Sequence, residues 1–85
     1  MSIPVVVYSG RGCHLCEVAL AVLERDRERL DLEIEVVDIT GDPDLERAYR
    51  EQIPVVFVGG RKAFKYHVDP LELEQRVQRL KVSQH

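Results

Sequence analysis

Apolar residues along this chain form either continuous runs or regularly spaced stripes, and their spacing predicts the first three elements. Residues 3–8 are apolar and mostly β-branched, which is typical of a strand buried on both faces of a sheet. From Leu15 to Leu30 the apolar positions recur three or four residues apart, which predicts an amphipathic helix of about four turns. Residues 32–39 alternate and then become apolar, so they form a second strand. We expect this strand–helix–strand unit to have a right-handed crossover.

The next part of the chain predicts a short helix followed by a third strand. Asp42 is a preferred N-cap residue and Pro43 suits the first helical position, so a helix is expected over residues 44–51. The residues of this helix that we expect to face inward are Leu45, Ala48 and Tyr49. Pro54 interrupts the helical pattern, and the apolar residues 55–58 follow as a strand.

Two turn signals divide the last part of the chain. The stretch Gly59-Gly60-Arg61-Lys62 predicts a tight hairpin into a fourth strand at residues 63–66. Asp69 and Glu72 fit a capping box that begins a last helix. We expect residues 82–85 to be frayed. The residues expected on the inner face of the last helix are Leu73, Val77 and Leu80.

Length and composition narrow the class of protein without identifying it. Eighty-five residues, 45 % of them hydrophobic and 32 % charged, are ordinary for one small domain spanning residues 1–85. The net charge of −3, with both signs spread along the chain, disfavours a nucleic-acid-binding surface. No apolar run approaches the ~20 residues of a membrane span, and Met1-Ser2 leads into the first strand without a basic leader. We therefore expect a cytoplasmic monomer that acts away from membranes.

Cys13 and Cys16 lie where the first strand gives way to the first helix. Only a thiolate attacks a disulfide, and an ordinary cysteine with a pKa of about 8.5 is mostly protonated at neutral pH. Unpaired N–H groups at a helix N-terminus favour negative charge, so the position of Cys13 predicts a lowered thiol pKa. Cys16, three residues further on, shares the same helical face. This arrangement predicts thiol–disulfide exchange, with Cys13 as the attacking thiol and Cys16 as the resolving thiol.

Three neighbours of the cysteines are candidate contacts for a substrate. Arg11 and a protonated His14 would add positive charge beside the attacking sulfur. Arg11 would also attract acidic groups of a partner, although an ordinary exposed position explains both residues equally well. Tyr8, at the end of the first strand, would pack against the disulfide or donate to a substrate. The alternative for Tyr8 is an ordinary aromatic residue at a strand end.

The order of the seven predicted elements, with Cys-x-x-Cys after the first strand, resembles the small glutaredoxin-like proteins of the thioredoxin superfamily. The resemblance extends from Ile3 to the region of Leu80. It implies an α/β protein with a thioredoxin fold, in which a four-stranded mixed sheet of order 2-1-3-4 is flanked by three helices. It also implies a dithiol–disulfide oxidoreductase that serves electron transport and cell redox homeostasis. Such an enzyme needs no bound cofactor, because its electrons come from an external reductant.

A second match to the family is Ile53-Pro54-Val55-Val56, which looks like its cis-proline loop before the third strand. The resemblance implies that the Ile53–Pro54 peptide bond is cis and that the loop faces Cys13. The backbone of Ile53 would then pair with an extended segment of a disulfide-containing protein, as an added strand does. The alternative is that Pro54 only starts the third strand, as Pro4 starts the first.

The chain departs from the glutathione-using members of the family at two places. They usually carry a second Gly-Gly pair and an acidic residue after the fourth strand, where this chain has Tyr66-His67-Val68-Asp69-Pro70. Their central dipeptide is usually Pro-Tyr or Gly-Pro, where this chain has His14-Leu15. Glutathione and thioredoxin reductase therefore both stand as candidate reductants.

Other interpretations of the chain use the same cysteines without catalysis. A structural zinc site needs four ligands, and Cys13 and Cys16 supply half of them. The other candidates are His14, His67 and His85, with no second Cys-x-x-Cys, so no metal site is predicted. A non-enzymatic iron–sulfur cluster carrier, with the cluster bridging two copies through Cys13 and glutathione, occurs among glutaredoxin relatives and stays open. A redox-sensitive binding module that docks a partner through the same groove also stays open.

Overall fold

Strands and helices follow one another in the predicted order. A computed structural model describes residues 2–83 of the chain. Its elements are β1 (Ile3–Ser9), α1 (His14–Leu30), β2 (Leu32–Asp38), α2 (Pro43–Tyr49), β3 (Val55–Val58), β4 (Arg61–Lys65) and α3 (Pro70–Ser83). Within residues 2–83, no helix has the length and the apolar character that a membrane crossing requires.

The sheet has the strand order β2-β1-β3-β4, which confirms the expected arrangement of a thioredoxin fold. β1 pairs in parallel with β2, and β3 pairs antiparallel with both β1 and β4. β1 is therefore an interior strand with a neighbour on each side, and its residues Ile3, Val5 and Val7 are buried. An apolar run suits such a strand because helices cover parts of both of its faces.

The hydrophobic core lies between one face of the sheet and the helices α1 and α3. Leu23 of α1 is fully buried there, as the helical stripe predicted. Arg29 and Glu74 form an ion pair across the two helices, and this carboxylate holds the pKa of Arg29 above its ordinary value. The predicted inner residues of α3 are confirmed as buried or partly buried: Leu73, Val77 and Leu80.

The opposite face of the sheet is covered by α2. Because side chains alternate along a strand, Tyr8 points away from the core that contains Val7. The Tyr8 ring stacks on Tyr49 of α2, with ring centroids 4.6 Å apart. It also meets the Phe57 ring of β3 edge-on, with centroids 5.6 Å apart. Three aromatic rings therefore attach α2 to the sheet.

This attachment sets the rotation of α2 about its own axis. Tyr49 and Leu45 are partly buried, which confirms that they face inward. Ala48 is exposed, so its predicted inward position is wrong. Neighbouring helical residues lie about 100° apart, and stacking Tyr49 on the sheet turns Ala48 towards solvent. No residue of α2 is fully withdrawn from solvent.

Both predicted helix caps are confirmed. The Asp42 carboxylate accepts the N–H groups of Asp44 and Leu45 at 3.1 and 3.2 Å at the start of α2. The Asp69 carboxylate accepts the N–H of Leu71 at 3.0 Å at the start of α3. Each carboxylate satisfies a donor that the first helical turn leaves unpaired.

The hairpin between β3 and β4 depends on two glycines. Gly59 and Gly60 have φ angles of +60° and +84°, a region that residues with a side chain rarely adopt. A Cβ at Gly59 would also lie 2.7 Å from Cδ1 of Leu80. Because pairing starts directly after the turn, β4 begins at Arg61 rather than at the predicted residue 63.

Several other boundaries differ from the predicted ones by one or two residues. β2 ends at Asp38 rather than at residue 39, and α2 ends at Tyr49 rather than at residue 51. β4 ends at Lys65 because Tyr66, with a φ of +71°, leaves the extended region. α3 continues to Ser83, so the expected fraying at residues 82 and 83 is wrong, since no glycine or proline interrupts the helix there. Residues 84 and 85 lie outside the described residues.

Candidate functional site

The side chain of Cys13 caps the helix that carries Cys16. Cys13 has extended backbone angles, with φ −87° and ψ 102°, and its sulfur accepts the N–H of Cys16 at 3.1 Å. Its carbonyl accepts the N–H of Glu17 at 3.3 Å. The sulfur therefore lies among the unpaired N–H groups at the positive end of the helix dipole, where a thiolate is favoured.

The two cysteine residues differ in their access to solvent. They are joined as a disulfide, with their Cα atoms 5.2 Å apart. Cys13 is partly exposed, whereas Cys16 is only 1 % exposed. A molecule that approaches the pair reaches Cys13 first, and Cys16 is close enough behind it to form the internal disulfide. This geometry suits an attacking thiol followed by a resolving thiol.

The Ile53–Pro54 peptide bond is cis, as the family resemblance implied. Pro54 is buried, and Ile53 is partly buried against the loop that precedes Cys13. A Cβ at Gly10 would lie 2.7 Å from Cδ1 of Ile53, so glycine is needed where the two loops approach each other. The proline loop therefore lies against the cysteine loop, as predicted.

A depression of about 320 Å³ lies where these two loops meet. Its walls come from the cysteine loop, the segment after β2, the α2 region and the proline loop. The residues that line it are Gly10, Arg11, Cys13, Ile39, Thr40, Glu46, Arg50 and Ile53. Of the predicted site residues, the structure thus brings Arg11, Cys13 and Ile53 together at one surface.

Three other predicted site residues lie away from the lining of this depression. The side chain of His14 is 84 % exposed, and its Nδ1 lies 3.7 Å from Oε2 of Glu17. Tyr8 is held in its stack with Tyr49, which agrees with the alternative of a packed aromatic residue at a strand end. Pro54 is buried beneath the surface. The roles of His14 and Tyr8 towards a substrate stay predictions.

Thr40, Glu46 and Arg50 line the depression without having been predicted. The position of Thr40 could be inferred from topology, because the parallel strands β1 and β2 end at the same edge of the sheet. Its hydroxyl accepts the N–H of Arg11 at 3.0 Å. Glu46 and Arg50 are four residues apart, a spacing that puts two residues on one helical face. Nothing in the sequence shows which face of α2 turns towards the cysteines.

Asp38 holds the segment after β2 beside the cysteine loop. Its carboxylate accepts the backbone N–H of Thr40 at 2.8 Å. That bond, followed by the Thr40 side chain and the charge of Arg11, holds the pKa of Asp38 below its ordinary value of 3.8. A chain of bonds therefore runs from Asp38 through Thr40 to the backbone of Arg11.

The donor atoms at the site are those of a disulfide pair. Within residues 2–83, no group of three or more His, Cys, Asp or Glu side chains is arranged to hold a metal ion. His85, which the sequence offered as a zinc ligand, lies outside this range. The Cys13–Cys16 disulfide fits a redox function.

A four-stranded mixed sheet, with a Cys-x-x-Cys pair capping the helix after its first strand, defines a protein of thioredoxin fold that is suited to a redox function. The model of the glutaredoxin-like domain (DUF836) matches residues 4–78 of the chain. The chain therefore belongs to this glutaredoxin-like family within the thioredoxin superfamily. No curated protein matches the chain.

Solved structures agree with this assignment. Protein Ne2328 from Nitrosomonas europaea is 31 % identical, with a TM-score of 0.76, over 89 % of this chain and 92 % of that one. Protein XcR50 from X. campestris is 28 % identical, with a TM-score of 0.74, over 88 % of this chain and 96 % of that one. Thioredoxin 1 from Thermosipho africanus is 17 % identical, with a TM-score of 0.65, over 96 % of this chain and 99 % of that one, and shows the fold alone.

Proposed function

We propose that this chain is a thiol–disulfide oxidoreductase that reduces disulfides in proteins or mixed disulfides with glutathione. The observation that supports this most directly is the sulfur of Cys13, a partly exposed residue, which accepts the N–H of Cys16 at the start of α1. A sulfur bonded in this way is favoured in its ionised form and can still be reached by a substrate. The family and the fold fit a redox function of this kind.

The proposed reaction starts from the reduced dithiol. The Cys13 thiolate attacks one sulfur of a substrate disulfide, forms a mixed disulfide and releases the other substrate sulfur, which takes up a proton. Cys16 then loses its proton, and its thiolate attacks the Cys13 sulfur. The substrate leaves as a second thiol, having received two electrons from the cysteine pair. The Cys13–Cys16 disulfide of the structure corresponds to the end of this sequence.

The depression beside Cys13 supports an extended polypeptide as the group that binds there. The backbone of Ile53 would pair with such a segment in the manner of an added strand. Arg11 and Arg50 line the same depression and would attract carboxylates of a substrate or of glutathione. The proposed cycle uses no bound cofactor, because glutathione or thioredoxin reductase supplies the electrons from outside.

Two coupled assays test the proposal and identify the reductant. In each, NADPH consumption is followed with the oxidised protein, either with glutathione and glutathione reductase or with thioredoxin reductase alone. Turnover in the first assay would mean that glutathione serves despite the absence of a second Gly-Gly pair after β4. Turnover only in the second assay, with thioredoxin reductase, would identify a thioredoxin-like carrier. No turnover in either would contradict the proposal and favour a binding module.

Cys13→Ser and Cys16→Ser form a matched pair for the assignment of roles. Cys13→Ser should abolish disulfide reduction, since it removes the attacking sulfur. Cys16→Ser should keep the attack but accumulate mixed disulfides, which mass spectrometry detects as a covalent adduct of protein and substrate. Disulfide reduction that persists in Cys13→Ser would contradict the assignment of Cys13 as the attacking thiol.

A further inference from the structure

Tyr66, the residue that follows β4, has a φ of +71° although it carries a bulky side chain. Residues with a Cβ are uncommon in this left-handed region because the Cβ crowds the following carbonyl oxygen. Such a conformation persists only where the surrounding structure holds it, and it is frequent next to functional sites. The contacts of Tyr66 therefore bear on the neighbouring cysteine site.

Tyr66 contacts the loop between α2 and β3 at both ends of residues 51–54. Its backbone N–H donates to the carbonyl of Pro54 at 2.9 Å, and its hydroxyl donates to the carbonyl of Glu51 at 2.9 Å. Lys62 of β4 donates from Nζ to Oε1 of Gln52 at 3.0 Å. Tyr66 therefore bonds to this loop through both its backbone and its side chain.

Ile53 lies in the sequence between the residues that accept these bonds. Because β3 lies between β1 and β4 in the sheet, the loop before β3 lies between the cysteine loop and Tyr66. Ile53 lines the depression beside Cys13, and its peptide groups take no part in the bonds from Tyr66 and Lys62. The loop is therefore held from the β4 side while Ile53 faces the cysteine side.

We propose that Tyr66 is a positioning residue for polypeptide disulfides, a role that rests on the oxidoreductase function proposed above. An extended polypeptide needs the backbone of Ile53 at a fixed distance from Cys13, whereas a small organic disulfide needs only the Cys13 sulfur. Loosening the loop therefore weakens the binding of a polypeptide substrate and leaves the sulfur chemistry unchanged.

The test compares Tyr66→Phe with the wild type in single-turnover oxidation of the prereduced protein, which requires no external reductant. The substrates are a linear peptide disulfide and 2-hydroxyethyl disulfide, each over a range of concentrations. The half-saturating concentration of the peptide disulfide should increase about three- to tenfold, as the net loss of one hydrogen bond predicts. The maximal rate with the peptide and the rate constant with 2-hydroxyethyl disulfide should match the wild type.

Tyr49→Phe is the matched control, because it removes a tyrosine hydroxyl and keeps the ring that stacks on Tyr8. Hydrogen exchange at the backbone amide of Gln52, which donates to the carbonyl of Tyr49 at 2.8 Å in the same loop, is a second readout and should be faster in Tyr66→Phe than in the control. Equal changes for the peptide and the small disulfide, or no change for either, would overturn the inference and leave the oxidoreductase function intact. A wild type inactive with both substrates would overturn the proposed function and the inference with it.

Discussion

The two faces of the sheet differ in how completely helices cover them. On the face under α1 and α3, Leu23 and Leu73 have no exposed surface. On the face under α2, no helical residue is fully buried. The aromatic rings that pack there belong to residues that are all partly exposed: Tyr8, Tyr49 and Phe57. The depression beside Cys13 opens on the α2 side, where Glu46 and Arg50 line it.

This difference separates the source of stability from the site of the proposed chemistry. Burial of apolar surface is the main favourable contribution to folding, and most of the buried apolar residues pack under α1 and α3. The less completely covered α2 face leaves a surface next to the cysteines for a partner. Substitutions should therefore divide into those that mainly change the free energy of unfolding and those that mainly change the reaction.

Leu23→Ala should have the largest effect, a decrease of about 2–5 kcal/mol in the free energy of unfolding, because it leaves a cavity at a fully buried position. Val18→Ala on the same helix is the control, since Val18 is 45 % exposed and its truncation should cost about 0.5 kcal/mol or less. Urea denaturation of the oxidised proteins measures the free energy of unfolding of each variant. Equal losses would contradict the claim that the α1–α3 face supplies most of the stability.

Gly59→Ala should have the next largest effect, with Gly60→Ala as its control. Both glycines have positive φ angles, so alanine at either position should cost about 1–2 kcal/mol through the backbone. Only at position 59 would the new Cβ meet Leu80, which packs against the core, and this should cost on the order of 1 kcal/mol more. Urea midpoints that shift by the same amount would show that the core does not extend to the hairpin through Leu80.

Tyr49→Leu examines the α2 face, where the effect on stability should be smaller. Loss of the stack on Tyr8 should lower the free energy of unfolding by about 0.5–1.5 kcal/mol. Because Glu46 and Arg50 belong to the same helical segment, the variant should also reduce peptide disulfides more slowly in single turnover. A loss of stability as large as that of Leu23→Ala would mean that the two faces contribute equally.

Asp38→Asn should have the smallest effect, a loss of stability that is present near neutral pH and disappears in acid. Hydrogen bonds from Thr40 lower the pKa of Asp38 in the folded protein, so below its ordinary pKa of 3.8 the unfolded chain binds the proton first. The contribution of Asp38 is therefore present at higher pH and is lost as the pH falls through the folded pKa. Urea midpoints between about pH 6 and about pH 2 should fall less steeply for Asp38→Asn than for the wild type. If the urea midpoints of the two proteins fell equally with pH, the proposed contribution of Asp38 would be contradicted.

Much of the fold could be predicted because its signals are local. The apolar run of β1, the caps Asp42 and Asp69 and the glycine hairpin each depend on residues close together in the sequence. The strand order and the cis bond at Pro54 came from the resemblance to a family. Spacing alone also allowed Pro54 to be an ordinary first residue of a strand.

The rest of the site depends on contacts between segments far apart in the sequence. Ala48 was placed inward from helical spacing, but the stack of Tyr49 on Tyr8 decides the rotation of α2. That same rotation brings Arg50 to the depression. Tyr66 was placed at the end of the predicted strand 63–66, but its backbone is left-handed and it bonds to the proline loop.

The bond between the Cys16 amide and the Cys13 sulfur makes that amide a natural spectroscopic reporter. Its nitrogen lies 3.1 Å from the atom whose charge changes when the reduced protein ionises. The chemical shift of this amide should therefore follow the titration of Cys13 in a nuclear magnetic resonance spectrum, without a dye, a substrate or a substitution. The oxidised protein, whose sulfurs do not titrate, supplies the reference.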